Sequence, residues 1–130
     1  SHRVKEAWEM TLQNLRRLTS HCQEKELPVV LVVFPYTFQF SWQQRPTAPQ
    51  QILQTFSEDT NVPLLDLLPA MEEYCMSNNC MPSDLFLDAN HLSPRGGQAV
   101  AEMVLVFLDD SLSPGTLPGP DNAATSRPVD

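Results

Sequence analysis

Glycine is scarce in this chain, and no glycine occurs before Gly96. That absence excludes a Gly-rich phosphate loop over most of the length, and with it the usual nucleotide-binding fingerprints. Basic residues are also few: 8 Lys and Arg stand against 16 Asp and Glu, for a net charge of −8. Phosphate binding needs a basic face, so nucleic acid is not an expected partner. No apolar run approaches the ~18 residues of a membrane span, so no transmembrane segment is expected and the chain reads as soluble. The 3 cysteines give no even disulfide framework. Cys22 falls on the apolar face of a helical pattern and reads as a buried free thiol. Cys75 and Cys80 are five residues apart, which suits either a small disulfide loop or two reduced thiols.

What is present is enough for one domain: 130 residues, 42% of them hydrophobic. The 12 prolines are unevenly placed, and four of them fall after Asp110 together with two of the 4 glycines. Residues 111–130 hold almost no bulky apolar side chain, and they read as a disordered Pro/Gly-rich tail. The chain opens on Ser1 and its first methionine is Met10. The folded part is expected over residues 1–110, with further polypeptide upstream.

Val4, Trp8, Leu12, Leu15, Leu18 and Cys22 recur at helical spacing and predict an amphipathic helix over 4–25, stopped by Pro28. Val29 to Phe34 is a continuous β-branched and aromatic run, as expected of a strand covered on both faces in a parallel sheet. After Pro35 comes a loop carrying Tyr36, Phe38, Gln39, Phe40 and Trp42. A second helix is predicted over 48–59 and a shorter strand over 62–67. Pro69 suits the first position of a third helix over 69–77. Ser93-Pro94 is an N-cap and N1 pair for a last helix over 94–109. Alternation of this kind predicts an α/β layered domain with a parallel sheet. Two strands are too few for a stable parallel sheet, so N-terminal strands are expected to be missing from the domain.

The stretch Asp88-Ala89-Asn90-His91 carries the chemistry. An aspartate three residues before a histidine can orient one imidazole nitrogen and leave the other free as a base. Asp88 alone would read as a turn-former. Ser93, two residues past His91, reads as a helix cap with its hydroxyl occupied. Asp66, after the second strand, reads as a cap too. His2 and His21 have no partner pattern. Gly96 and Gly97 are poor in a first helical turn, and close approach to a neighbouring backbone is one reason to place glycine there. A metal reading of Cys75, Cys80, Asp88 and His91 fits no common zinc spacing.

Asp-x-x-His, a small-residue turn and a helix with Gly97, Ala99 and Ala101 resemble the C-terminal block of the SGNH (GDSL-type) hydrolases. Pro28 to Pro35 is similar to a late central strand of that family, and Val62 to Leu67 to the next one. The resemblance covers about residues 5–108. It implies a three-layer α/β/α, flavodoxin-like fold and hydrolysis or transfer of an O-acyl ester of a lipid, glycan or small molecule. His91 would be the general base and Asp88 its orienting acid, with no cofactor and no metal. Tyr36 and Gln39, after the carboxyl end of a strand, would contact substrate. The family's serine stands in a Gly-Asp-Ser block, and its oxyanion hole uses a Gly and an Asn from two further blocks. None of these blocks occurs here. The nucleophile is therefore expected outside this chain. The rival expectation is a non-catalytic, hydrolase-like binding or scaffold module.

Overall fold

The computed structural model describes residues 1–41 and 45–113. It is a mixed α/β arrangement in which five helices surround a two-stranded parallel sheet. Helix α1 spans His2–Glu24, followed by strand β1 at Leu31–Val33 and a single-turn helix α2 at Phe38–Ser41. Helix α3 spans Ala48–Thr60, strand β2 Leu64–Asp66, and helix α4 Leu67–Asn78. A 3-10 turn at Pro82–Leu85 leads into a loop, and helix α5 closes the described part over Pro94–Leu112.

With no glycine available before Gly96, the helices end on other residues. Glu26, Asn61 and Asn79 take left-handed φ values of 56°, 56° and 49°. At the end of α1, Glu26 N–H donates to Gln23 C=O at 3.0 Å and Leu27 N–H to Cys22 C=O at 2.9 Å. These are the two bonds of a Schellman reversal, here without its usual glycine. They stop the helix one residue before the predicted end, ahead of Pro28.

Helix α1 is less buried than its periodicity suggests. Trp8, Leu12, Leu15 and Cys22 are half-buried, Val4 and Leu18 are exposed, and only Thr19 is buried. Cys22 is thus a half-buried thiol, not a buried one. Arg16 of this helix reaches across, its guanidinium lying 5.4 Å from the Phe56 ring centre and 3.7 Å from the Asp59 carboxylate of α3.

The two strands pair in register, Leu31 with Leu64, Val32 with Leu65 and Val33 with Asp66. Both are three residues long, shorter than the predicted 29–34 and 62–67. A ladder is as long as its shorter partner, and β2 is confined between Pro63 and the start of α4 at Leu67. The flanking Phe34 is exposed, and every strand residue is half-buried, so neither face is fully covered. Helix α4 begins two residues earlier than Pro69 because Asp66 caps it. Its Oδ1 accepts from Leu68 N–H at 3.0 Å. Pro69 still falls in the first turn, where a missing N–H leaves no intrahelical bond unmade.

The core lies between α4, the 3-10 turn and α5. Leu67, Met71 and Cys75 of α4 pack with Leu85, Phe86, Ala99 and Val100. Val32, Leu65 and Phe40 close this cluster from the sheet side. Helix α5 runs through Leu112, past the predicted boundary at 110. The rest of the predicted tail, residues 114–130, lies outside the described residues.

Candidate functional site: a histidine and aspartate on a hairpin loop

The 3-10 turn and the start of α5 form a base from which residues 87–91 project. Ser93 N–H donates to Leu85 C=O at 2.9 Å, and Leu87 N–H donates to His91 C=O at 2.8 Å. Between them Phe86 and Leu92 form an antiparallel bridge. The loop is thus a short hairpin. Its two apolar legs, Phe86 and Leu92, face the core, and its tip faces solvent.

Asp88 organises that tip. Its Oδ1 accepts from Asn90 N–H at 3.0 Å and from His91 N–H at 2.9 Å, the Asx-turn pattern. The same carboxylate meets His91 Nδ1 at 2.9 Å through Oδ1 and 2.8 Å through Oδ2. The turn-forming and histidine-orienting readings of Asp88 are therefore both realised by one group. The backbone donors Asn90 and His91, with the imidazole after them, lower its pKa to about 2. An ionised carboxylate only accepts, so the Nδ1 in contact with it carries the proton. In the neutral ring of that tautomer Nε2 carries the lone pair. The His91 side chain is 72% exposed, so that nitrogen is accessible.

Ser93 does not serve His91. Its hydroxyl donates to Asp84 C=O at 2.8 Å and accepts from Gly96 N–H at 3.1 Å. The second bond caps α5, as the position before Pro94 predicts, and the first ties the cap to the 3-10 turn. Gly96 has the expected structural reason for being there. A Cβ at this position would lie 1.9 Å from the Leu85 carbonyl oxygen. Gly97 has no such neighbour within 4 Å. Asp66 is a cap, as expected, and its carboxyl is pushed up, chiefly by burial.

The loop after β1 is brought to the hairpin. Thr37 N–H donates to Ala89 C=O at 2.9 Å, within the Asp88–His91 turn. This bond places Tyr36 and Phe38 beside the site residues. Their rings stack with centroids 5.4 Å apart and planes 11° from parallel, and Tyr36 is half exposed. Phe40 turns inward and packs against Phe86, with ring centres 5.8 Å apart. Trp42 lies outside the described residues.

Gln39 is placed differently from Tyr36. Its side chain is buried, with Oε1 accepting from Tyr36 N–H at 2.9 Å and Nε2 donating to Pro46 C=O at 2.8 Å. A further bond from Nε2 reaches Gln50 Oε1 at 3.2 Å. The amide therefore fixes the loop and presents Tyr36, and it does not face the hairpin tip. The Thr37–Ala89 contact has no sequence signature, because both partners are backbone atoms.

Among the described residues no group of three or more His, Cys, Asp and Glu gathers as a metal site, and no helix is long and apolar enough to cross a membrane. No protein-family model matches the chain, and neither the curated proteins nor the solved structures give a match.

Proposed function

We propose that this chain carries the histidine–aspartate part of an SGNH-type serine hydrolase centre, acting on an O-acyl ester. One observation supports this above the others: His91 Nδ1 is held by both oxygens of the Asp88 carboxylate, at 2.9 and 2.8 Å, with the rest of the ring accessible. A histidine used only to close a turn has no need of an ionised partner fixing its tautomer. The parallel strand–helix–strand unit and the helix after the Asp-x-x-His turn agree with the three-layer α/β/α, flavodoxin-like fold that this reading entails.

In this mechanism His91 Nε2 takes the proton of a serine hydroxyl as that oxygen attacks the ester carbonyl. It then returns the proton to the departing alcohol. Water, or a sugar or alcohol acceptor, releases the acyl group in the second half by the same route. Asp88 keeps the proton on Nδ1 and stabilises the imidazolium that forms. The serine and the oxyanion donors come from polypeptide outside these 130 residues. Tyr36, next to the hairpin through Thr37, contacts the substrate, and Gln39 holds Tyr36 in place.

A fluorophosphonate probe tests this on the natural polypeptide that contains the sequence. Labelling of a serine is expected, and His91→Ala is expected to abolish it with the far-UV circular dichroism unchanged. Labelling that survives the substitution would remove His91 from the mechanism. A folded polypeptide that takes no label would favour the binding or scaffold module.

A further inference from the structure

We propose that Cys75 and Cys80 form a disulfide site that staples the end of α4 to the turn beneath the His91 hairpin. The backbone builds this pair. Helix α4 ends at Asn78, Asn79 takes the left-handed φ of 49°, and Cys80 N–H donates to Cys75 C=O at 3.1 Å. That reversal folds Cys80 back over the last turn of the helix and sets its Sγ 2.7 Å from Cys75 Sγ. Cys75 is buried in the core with Leu85 and Phe86, and Cys80 packs against the same cluster at half burial. The two sulfurs are already in contact, so a bond between them closes a short gap. Cys22, on α1, has no such partner among the three cysteines.

The burial difference sets the order of the chemistry. Cys80 is the accessible sulfur, and its thiolate attacks one sulfur of a small-molecule disulfide such as oxidised glutathione. The S–S bond of the reagent breaks, one glutathione thiolate leaves, and Cys80 carries a mixed disulfide. Cys75 then gives its proton to water and attacks the Cys80 sulfur, expelling the second glutathione thiolate. Two protein thiols are oxidised and one reagent disulfide is reduced to two thiols. Burial first, and the contact with Cys80 second, push the Cys75 thiol up to about 12. Cys80, the less buried sulfur, is therefore the one that meets outside reagents first, and Cys75 follows from within the pair.

The staple bears on the candidate site through its neighbour in sequence. Cys80 leads directly into Met81, whose N–H donates to Asp84 Oδ2 at 2.9 Å, and into the 3-10 turn ending at Leu85. The Leu85 carbonyl is the acceptor for Ser93 N–H and the surface against which Gly96 packs. Fixing Cys80 to α4 thus fixes the base of the hairpin.

The test uses the natural polypeptide that contains this sequence, treated with excess oxidised glutathione, then denatured, alkylated with N-ethylmaleimide and digested, so that Cys22, Cys75 and Cys80 are read peptide by peptide. Neither Cys75 nor Cys80 is expected to take an adduct, and before alkylation the segment that holds them is expected to be lighter by about 2 Da for the two hydrogens lost. A peptide linking residues 75 and 80 should appear, with a rise in melting temperature of roughly 5–10 °C that a reducing agent reverses. Adducts on both Cys75 and Cys80 after this treatment would overturn the proposal, as would glutathione retained on Cys80 with Cys75 still alkylatable. Cys22→Ser should leave the link intact.

Discussion

The α-carbon of Gly96 stands against the Leu85 carbonyl, so that a methyl group there would sit 1.9 Å from the oxygen. The atom it would strike is backbone, and that same oxygen accepts from Ser93 N–H at 2.9 Å. Relief would require moving the start of α5 away from the 3-10 turn and breaking the hairpin base. Gly96→Ala is therefore expected to cost about 2–3 kcal/mol, as an overpacked site does. Gly97, one residue on, meets nothing within 4 Å. There an alanine relieves the helix of glycine's entropy cost, and Gly97→Ala is expected to stabilise by about 0.5–1 kcal/mol. Urea unfolding of the two variants gives opposite signs if this contact sets the spacing. Equal effects would refute it.

Gln39 makes a second prediction, again about backbone held by one side chain. Its amide satisfies Tyr36 N–H and Pro46 C=O and bonds Gln50 in a buried setting. Gln39→Ala leaves those groups unpaired, at a cost of about 2–3 kcal/mol. Hydrogen exchange should speed up at the Tyr36 amide. If that amide exchanges at the wild-type rate in the variant, Gln39 is not what orders the loop.

Much of this was legible in the sequence, and the differences follow one cause. Helix existence followed from periodicity in α1 and α3 and from Ser93-Pro94 in α5, because those signals are local. The run Val29–Phe34 suggests a longer strand than forms, since a β-branched run reports propensity while the ladder depends on a partner 33 residues on. The burial of Cys22 was overread for the same reason: helical spacing shows which face is apolar, not what covers it. At the site, the Asp88–His91 pairing was readable from spacing three residues apart. The approach of the Tyr36 loop was not, because it rests on Thr37 N–H and Ala89 C=O. Gln39 reads from its position after a strand as a substrate contact, whereas its partners Tyr36 N–H, Pro46 C=O and Gln50 lie within the loop and α3.

Asp66 gives a prediction about pH. Burial raises its carboxyl pKa, partly offset by the bond from Leu68 N–H, with Glu72 adding a further raising effect. A carboxyl raised on folding binds its proton more tightly in the folded state. Stability therefore falls as pH climbs from the ordinary aspartate value through the raised one. Asp66→Asn keeps an oxygen to accept from Leu68 N–H and removes the charge. Relative to the variant, the wild type is expected to lose stability as pH rises above the ordinary aspartate value of about 4. A relative gain over that rise would contradict the assignment. Asp66→Ala, which loses the cap, should cost about 1 kcal/mol where the carboxyl is protonated and less as pH rises.

Asp88 titrates the other way, and this separates its two roles. Donors from Asn90, His91 and the imidazole lower its pKa to about 2. A depressed carboxyl contributes stability above its unfolded pKa near about 4 and loses that contribution as pH falls through the folded value. Carboxyl carbon NMR should place its midpoint near 2, whereas a midpoint at the ordinary aspartate value would mean the turn is not formed in solution. Asp88→Asn retains an oxygen for the Asn90 and His91 amides, so the hairpin should persist. It lacks the charge that stabilises an imidazolium, and labelling by fluorophosphonate in the natural polypeptide should slow on the order of 10³–10⁴-fold. Asp88→Ala removes the turn and the charge together and should add a loss of stability to that slowing. An Asn variant that is folded and labels at the wild-type rate would leave Asp88 a turn-former alone. It would then return His91 to the position of an exposed loop histidine.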